Sequence, residues 1–272
     1  MNFGRIADGR IAVIEGRRFW DISDLTRGYG QECSMVALIS NFDALKDRIG
    51  PALSVKQPAS LDEVRLGPPL GRPSKVVAIP SNYGKHIREM GGDAAPAAVE
   101  MFLKAPSAIV GPGQEILLPR GAGRVDHEAE LVIVIGKKAC SVSIDEALDY
   151  VFGYTCGLDV TVRGPGDRSM RKSYDTFAPL GPWITLKADV PNPDSLSIRF
   201  SINDEVRQLG STRDMIFNCA QLISGVSRVM TLEPGDVIFT GTPDGVSPLR
   251  AGDRLRIDIE SIGGMQLTVG SR

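Results

Sequence analysis

The chain has 272 residues, 42% of them apolar and 24% charged, a globular composition that excludes disorder and collagen-like structure. Its 31 Lys and Arg against 33 Asp and Glu leave a formal charge of −2, too little field to hold nucleic acid or an anionic membrane, and neither partner is expected. Cys33, Cys140, Cys156 and Cys219 show no C-x-x-C spacing, so neither a zinc site nor a disulfide frame is expected, only reduced and mostly buried thiols.

The N-terminal residues lack a basic segment followed by an apolar one, and no stretch approaches the roughly 18 apolar residues of a spanning helix. Cytoplasmic residence is the expectation. His86 and His127 are the only histidines, so a metal site would have to lean on carboxylates, whose hard oxygens suit Mg²⁺, Mn²⁺ or Ca²⁺ better than zinc.

In chain order, residues 10–16 and 18–22 read as two strands of a meander split by a Gly-Arg turn. Residues 34–48 have helical apolar spacing, with Met35, Leu38, Ile39, Phe42 and Leu45 near one stripe. A Pro-rich connection over 51–73 predicts a small N-terminal domain and linker over 1–70, then a larger domain over 71–272. Further strands are predicted at 75–79, 116–118, 130–135, 183–185, 197–202, 236–240, 254–259 and 266–269. Helices are predicted at 83–90, 144–150 and 215–227. The absence of regular β-α-β alternation points to an α+β, mainly β fold with peripheral helices.

Three segments carry candidate chemistry. In Asp126-His-Glu-Ala-Glu-Leu-Val-Ile-Val-Ile-Gly136, strand alternation puts Glu128 and Glu130 on one face and Leu131, Ile133 and Ile135 on the other. Two carboxylates at the mouth of an apolar strand repel and are poorly solvated, which a divalent cation relieves, although the pattern alone also fits a solvated strand end. Asp159 sits in an apolar, β-prone stretch where its charge needs a partner or a turn to cap. Asp126 shares the parity of the two glutamates but ranks below them as a ligand.

On a helix, His86 and Glu89 are three apart and adjacent, the pairing of an imidazole with a carboxylate that activates water near neutral pH. A surface ion pair has the same spacing. Lys172 is a candidate cation for a carboxylate or a developing oxyanion, and Thr176, four residues on, a candidate hydroxyl contact.

Taken together these segments resemble the fumarylacetoacetate hydrolase family from about Val76 to the C-terminus. The carriers are Asn82-Tyr83-x-x-His86-x-x-Glu89, Phe102-Leu-Lys-x-Pro106, the E-x-E-L-x-x-V-I-G run ending at Gly136, and Gly153-Tyr-x-x-x-x-Asp159-x-Thr-x-Arg163. Lys172-x-x-Asp-Thr176 before Leu180-Gly-Pro-Trp and Gly235-Asp with Thr240-Gly-Thr-Pro243 complete the set. The resemblance implies a rolled mixed β-sheet, sandwich- or barrel-like, in a homodimer, with Mg²⁺ or Mn²⁺ on Glu128, Glu130 and Asp159. It further implies a water-activating dyad of His86 and Glu89 on a segment ordered by substrate, an active-site lysine at Lys172, and substrate contacts from Tyr83, Arg163, Thr176 and Thr242.

Two departures stand out. Gly164-Pro165-Gly166 replaces the Asp-x-Gln that follows the arginine in many members, and Ala78-Ile-Pro-Ser81 replaces a commoner Gly-containing form. The activity implied is metal-dependent hydrolysis of a carbon–carbon bond in an acylpyruvate-like diketo acid of the fumarylpyruvate or fumarylacetoacetate type. The alternative is isomerisation or decarboxylation of a hydroxymuconate-type dicarboxylate in aromatic catabolism, which needs the same enolate chemistry.

Overall fold

The computed structural model describes residues 1–29 and 34–272. Cys33 lies outside the described residues; Cys156 and Cys219 are buried free thiols and Cys140 is an exposed one.

A 12-stranded mixed sheet forms the body. Its main path runs Ala59–Ser60, Arg18–Asp21, Ile11–Glu15, Asn2–Ile6, Ala178–Leu186, Val151–Leu158, Ala129–Ile135, Val237–Phe239, Val76–Ala78 and Phe102–Lys104. The N-terminal meander therefore continues the same sheet, through an antiparallel pairing of Asn2–Ile6 with Ala178–Leu186. A second sheet of 5 strands has the order Glu205–Ser211, Ser197–Ile202, Arg254–Ile259, Gly263–Ser271, Glu115–Leu118. The main path has two free ends, so the architecture is α+β, mainly β and sandwich-like, and the barrel-like closure in the sequence-based expectation does not occur among the described residues.

The strand Ala129–Ile135 is buried along its whole length. Leu131, Ile133 and Ile135 share a core with Ile198, Phe200, Ile257 and Leu267 of the second sheet. Val132 and Val134 face the other way, into a core with Phe239 and with Leu38, Ile39, Leu45 and Ile49 of two helices. Being covered on both faces, the strand reads as a continuous apolar run, and each of these side chains contributes about 1.5–3 kcal/mol by burial.

Several elements differ from the sequence-based expectation. The single helix over 34–48 is two helices, Ser34–Ser40 and Phe42–Val55, broken at Asn41, whose Nδ2 donates to Ala37 O at 2.9 Å. The second helix runs through Pro51, so the connection to the larger part of the chain starts later than 51. The helix expected at 144–150 is only a short 3₁₀ turn, Ala147–Tyr150, before Val151 enters a strand. The helix expected at 215–227 starts at Cys219, behind a capping box of Asn218 and Gln221. Phe217 instead bonds sideways to the Asn82 amide, donating to its Oδ1 at 2.8 Å and accepting from its Nδ2 at 3.0 Å. No helix among the described residues is long and apolar enough to cross a membrane.

Candidate active site

The three acidic residues converge because of strand register. Ala129 pairs with Leu158 across the antiparallel ladder, so Glu128 and Asp159 sit opposite each other just past the paired ends, joined by Asp159 N–H donating to Glu128 O at 2.9 Å. Glu130, two residues on, shares the face of Glu128. One oxygen from each of Glu128, Glu130 and Asp159 lies within 4.8 Å of the others, and all three side chains are buried.

Their charges are handled unequally. Lys172 Nζ donates to Glu128 Oε2 at 2.7 Å and to Asp159 Oδ2 at 2.6 Å, and Lys104 Nζ donates to Asp159 Oδ1. Arg163 Nη2 stands 2.8 Å from Glu128 Oε1. Burial works against ionisation of Glu128, but Lys172, Arg163 and His86 outweigh it and hold its carboxyl at about 2. Glu130 has no cation partner among the described residues; its Oε2 accepts only from Gly241 N–H, at 2.7 Å. Burial, then the charges of Asp159 and Glu128, push its carboxyl well above the usual range. A nest of buried carboxylate oxygens with one member uncompensated fits a hard divalent cation, Mg²⁺ or Mn²⁺.

His86 and Glu89 lie on the short helix Gly84–Glu89. His86 Nδ1 is 3.1 Å from Glu89 Oε2, and Glu89 Oε1 accepts from Gly245 N–H at 3.0 Å. Asn82 anchors this helix, donating to Thr240 O at 2.8 Å as well as to Phe217 O. His86, Glu128, Glu130, Arg163, Lys172 and Thr242 all line one cleft of about 400 Å³, and Asp159 lies against its floor.

Two expected contacts are placed elsewhere. Tyr83 is buried in the core with its hydroxyl unpartnered, outside the cleft lining, because it caps the helix from an extended conformation instead of joining it. Thr176 also lies off the lining, and its hydroxyl accepts from Leu117 N–H at 2.9 Å. The helix Arg168–Lys172 ends at Lys172, so a spacing of four does not put the two side chains on one face. Thr242 is at the cleft, but its hydroxyl proton is committed to Ala129 O at 2.9 Å, leaving it only an acceptor toward a ligand.

Two residues of the site, Lys104 and Gln208, were not singled out from sequence as parts of it, and Asp126 was weighed only as a lower-ranked ligand. Lys104 is fully buried on the strand Phe102–Lys104, where Phe102 and Lys104 are buried and Leu103 is exposed, so a lysine on the inward parity was the available signal. Burial lowers its ammonium toward neutrality, although Asp159 opposes this. Asp126 lies outside the group of three carboxylates and is a buried clamp, accepting from Arg124 Nε at 2.7 Å and Arg163 Nε at 2.8 Å. Gln208 comes from the second sheet, and nothing local in the sequence marks it. Its Oε1 accepts from His127 Nδ1 at 3.0 Å and Ala129 N–H at 3.0 Å; its Nε2 donates to Thr242 Oγ1 at 2.8 Å and Pro243 O at 2.7 Å.

Residues 75–270 match the model for the fumarylacetoacetate hydrolase C-terminal domain. Over its full length the chain is similar to the crystal structure of maleylpyruvate hydrolase from Sphingobium sp. SYK-6 in complex with manganese(II) and pyruvate, with 41% identity, a TM-score of 0.90 and 99% of that chain covered. It is 36% identical over 292 aligned residues to maleylpyruvate hydrolase of Aquipseudomonas alcaligenes, covering 100% of both chains. A 5-carboxymethyl-2-hydroxymuconate delta-isomerase from Mycobacterium smegmatis is 35% identical, with a TM-score of 0.80 and 99% of its chain covered. The strand-end carboxylate nest and the matches over most or all of the chain agree: this protein belongs to the fumarylacetoacetate hydrolase family.

Proposed function

We propose that the protein is a divalent-metal-dependent hydrolase that cleaves an acylpyruvate of the maleylpyruvate type into pyruvate and a carboxylic acid. The observation that carries this reading is the His86–Glu89 pair opening onto the same cleft as the carboxylate nest. The full-length likeness to a hydrolase bound to manganese and pyruvate supports the substrate class. Held by Glu128, Glu130 and Asp159, Mg²⁺ or Mn²⁺ would supply Lewis-acid polarisation of the 2-oxo-acid end.

The chain's own groups manage the proton. Glu89, braced by Gly245 N–H, takes the Nδ1–H of His86 and leaves Nε2 as the base for water. As water attacks the distal carbonyl carbon a C–O bond forms and its proton passes to His86. Collapse then breaks the C–C bond to the pyruvate methylene, and His86 returns the proton to that carbon, so one water is consumed per bond cleaved. Burial opposes the charge of Lys172, but Asp159 and Glu128 outweigh it and keep the ammonium protonated, with a third N–H for the transient oxyanion.

The test is pyruvate release from maleylpyruvate by Mn²⁺-loaded protein in H₂¹⁸O. Hydrolysis places the label in the carboxylic acid product, whereas an unlabelled isomer would mean the chemistry named for the hydroxymuconate relative. Action on a small oxo-acid rather than nucleic acid or membrane, homodimeric assembly and cytoplasmic residence belong to the same proposal; light scattering on the purified chain checks the dimer.

A further inference from the structure

Most cations of the cleft are already committed to the protein. Lys172 holds Glu128 and Asp159, and Arg163 spans Asp126 and Glu128. Arg171 spends Nε on Gly166 O and Nη1 on Val162 O, and Arg168 has only an exposed ion pair with Glu100 at 3.5 Å, with no hydrogen bond among the described residues to fix its aim. Arg124 is different. Its Nε donates to Asp126, which is fully buried and cannot move away, while neither terminal nitrogen has a partner among the described residues. The side chain is 52% exposed and lines the cleft, within electrostatic reach of Glu89 on the dyad side. A guanidinium held by one nitrogen and presenting its other two is a fork shaped for a carboxylate.

The charge balance points the same way. Arg124, Arg163, Lys104 and Lys172 pair with Asp126, Glu128 and Asp159, and Glu130 alone has no cation partner among the described residues. A divalent ion held there would add positive charge to the floor of the cleft. Carboxylates of a bound oxo-acid would offset it. Ile79, Pro80 and Met90 also line the cleft and give it apolar side chains against which a short carbon chain could lie.

Resting on the acylpyruvate reading above, we propose that Arg124 is a specificity-determining residue that binds the carboxylate at the far end of the acyl chain, the second acid group of a maleylpyruvate-type substrate. Gly164-Pro165-Gly166, which carries no polar side chain beside Arg163, leaves that recognition to Arg124.

The experiment compares 2-oxoadipate with 2-oxohexanoate, which have the same chain length and differ only in the terminal carboxylate. Binding of each to the Mn²⁺-loaded protein is measured by calorimetry in the wild type, Arg124→Ala and Arg124→Gln, the last still able to donate to Asp126. The expected result is a preference for the dicarboxylate of about ten- to a hundredfold in the wild type, the scale of a charge-assisted pair in a partly solvated site, falling to near unity in both variants. Equal wild-type affinities, or a preference that survives both substitutions, overturns the assignment. Failure of the hydrolase reading shows separately, as no pyruvate released from maleylpyruvate while the binding preference persists.

Discussion

Gln208 uses every hydrogen-bonding position its amide has, two accepted and two donated, and it is fully buried. Gln208→Leu keeps most of the volume but strands the Nδ1–H of His127 and the N–H of Ala129, two buried donors with no other partner. At about 1–3 kcal/mol for each orphaned donor, the expected loss is about 2–6 kcal/mol, against a total stability of about 5–15 kcal/mol. Urea unfolding followed by the fluorescence of Trp20 and Trp183 measures it. Because Ala129 lies between Glu128 and Glu130, a second effect is expected in the folded variant: Mn²⁺ affinity, read by electron paramagnetic resonance, should fall about 10- to 100-fold. A stability loss below about 1 kcal/mol would mean that the donors find other partners, and the network would not be what fixes this strand end.

Saturating Mn²⁺ should raise the thermal midpoint of the wild type, by the equivalent of about 2.7 kcal/mol at a hundred times the dissociation constant; Asp159→Asn and Glu130→Gln should lose most of that shift in calorimetry. EDTA should abolish pyruvate release, with recovery on adding Mg²⁺ or Mn²⁺. Glu89→Gln should lower kcat about a hundredfold or more while leaving Mn²⁺ affinity near wild type, because it orients the base and touches no ligand of the nest. Burial holds His127 down to about 4, below the ordinary value of about 6.5. The folded state therefore keeps it neutral where the unfolded chain takes a proton, so this contribution is present above about 6.5 and is lost as pH falls toward 4, by roughly 3 kcal/mol. Unfolding midpoints measured from pH 7 to pH 4 should show that slope in the wild type and a flatter one in His127→Asn.

Where period and chemistry agree, the sequence is readable: Ser197–Ile202 and Arg254–Ile259 fall where alternation places them. The strand Val151–Leu158 does not announce itself, because Gly153 and Gly157 weaken the pattern. Those glycines answer to packing that only the fold reveals. A Cβ at Gly153 would lie 2.2 Å from Thr185 O, and one at Gly157 would lie 2.5 Å from the Phe239 ring. The hairpin joining Ser197–Ile202 to Glu205–Ser211 was missed for a different reason: Asn203 and Asp204 both take positive φ, a primed turn that needs no glycine when Asn and Asp fill it.

The site divides along the same line. Glu128, Glu130 and Asp159 are readable because charge inside apolar strands is costly enough to demand an explanation, and pairing of Ala129 with Leu158 brings the three together at one strand end. Thr176 and Tyr83 lie off the cleft lining, Thr176 beyond the helix that ends at Lys172 and Tyr83 in the extended residue that precedes the helix Gly84–Glu89. Gln208 and Arg124 act through distance rather than pattern: one reaches in from the second sheet, and the other is aimed by Asp126, two residues along the chain, whose parity with the glutamates suggested a ligand. A carboxylate that accepts two guanidinium Nε–H groups has little left for a metal, and its burial fixes where those guanidiniums point. The acid that looked like a spare ligand is thereby the part that separates the metal end of the cleft, held by Arg163, from the open fork of Arg124.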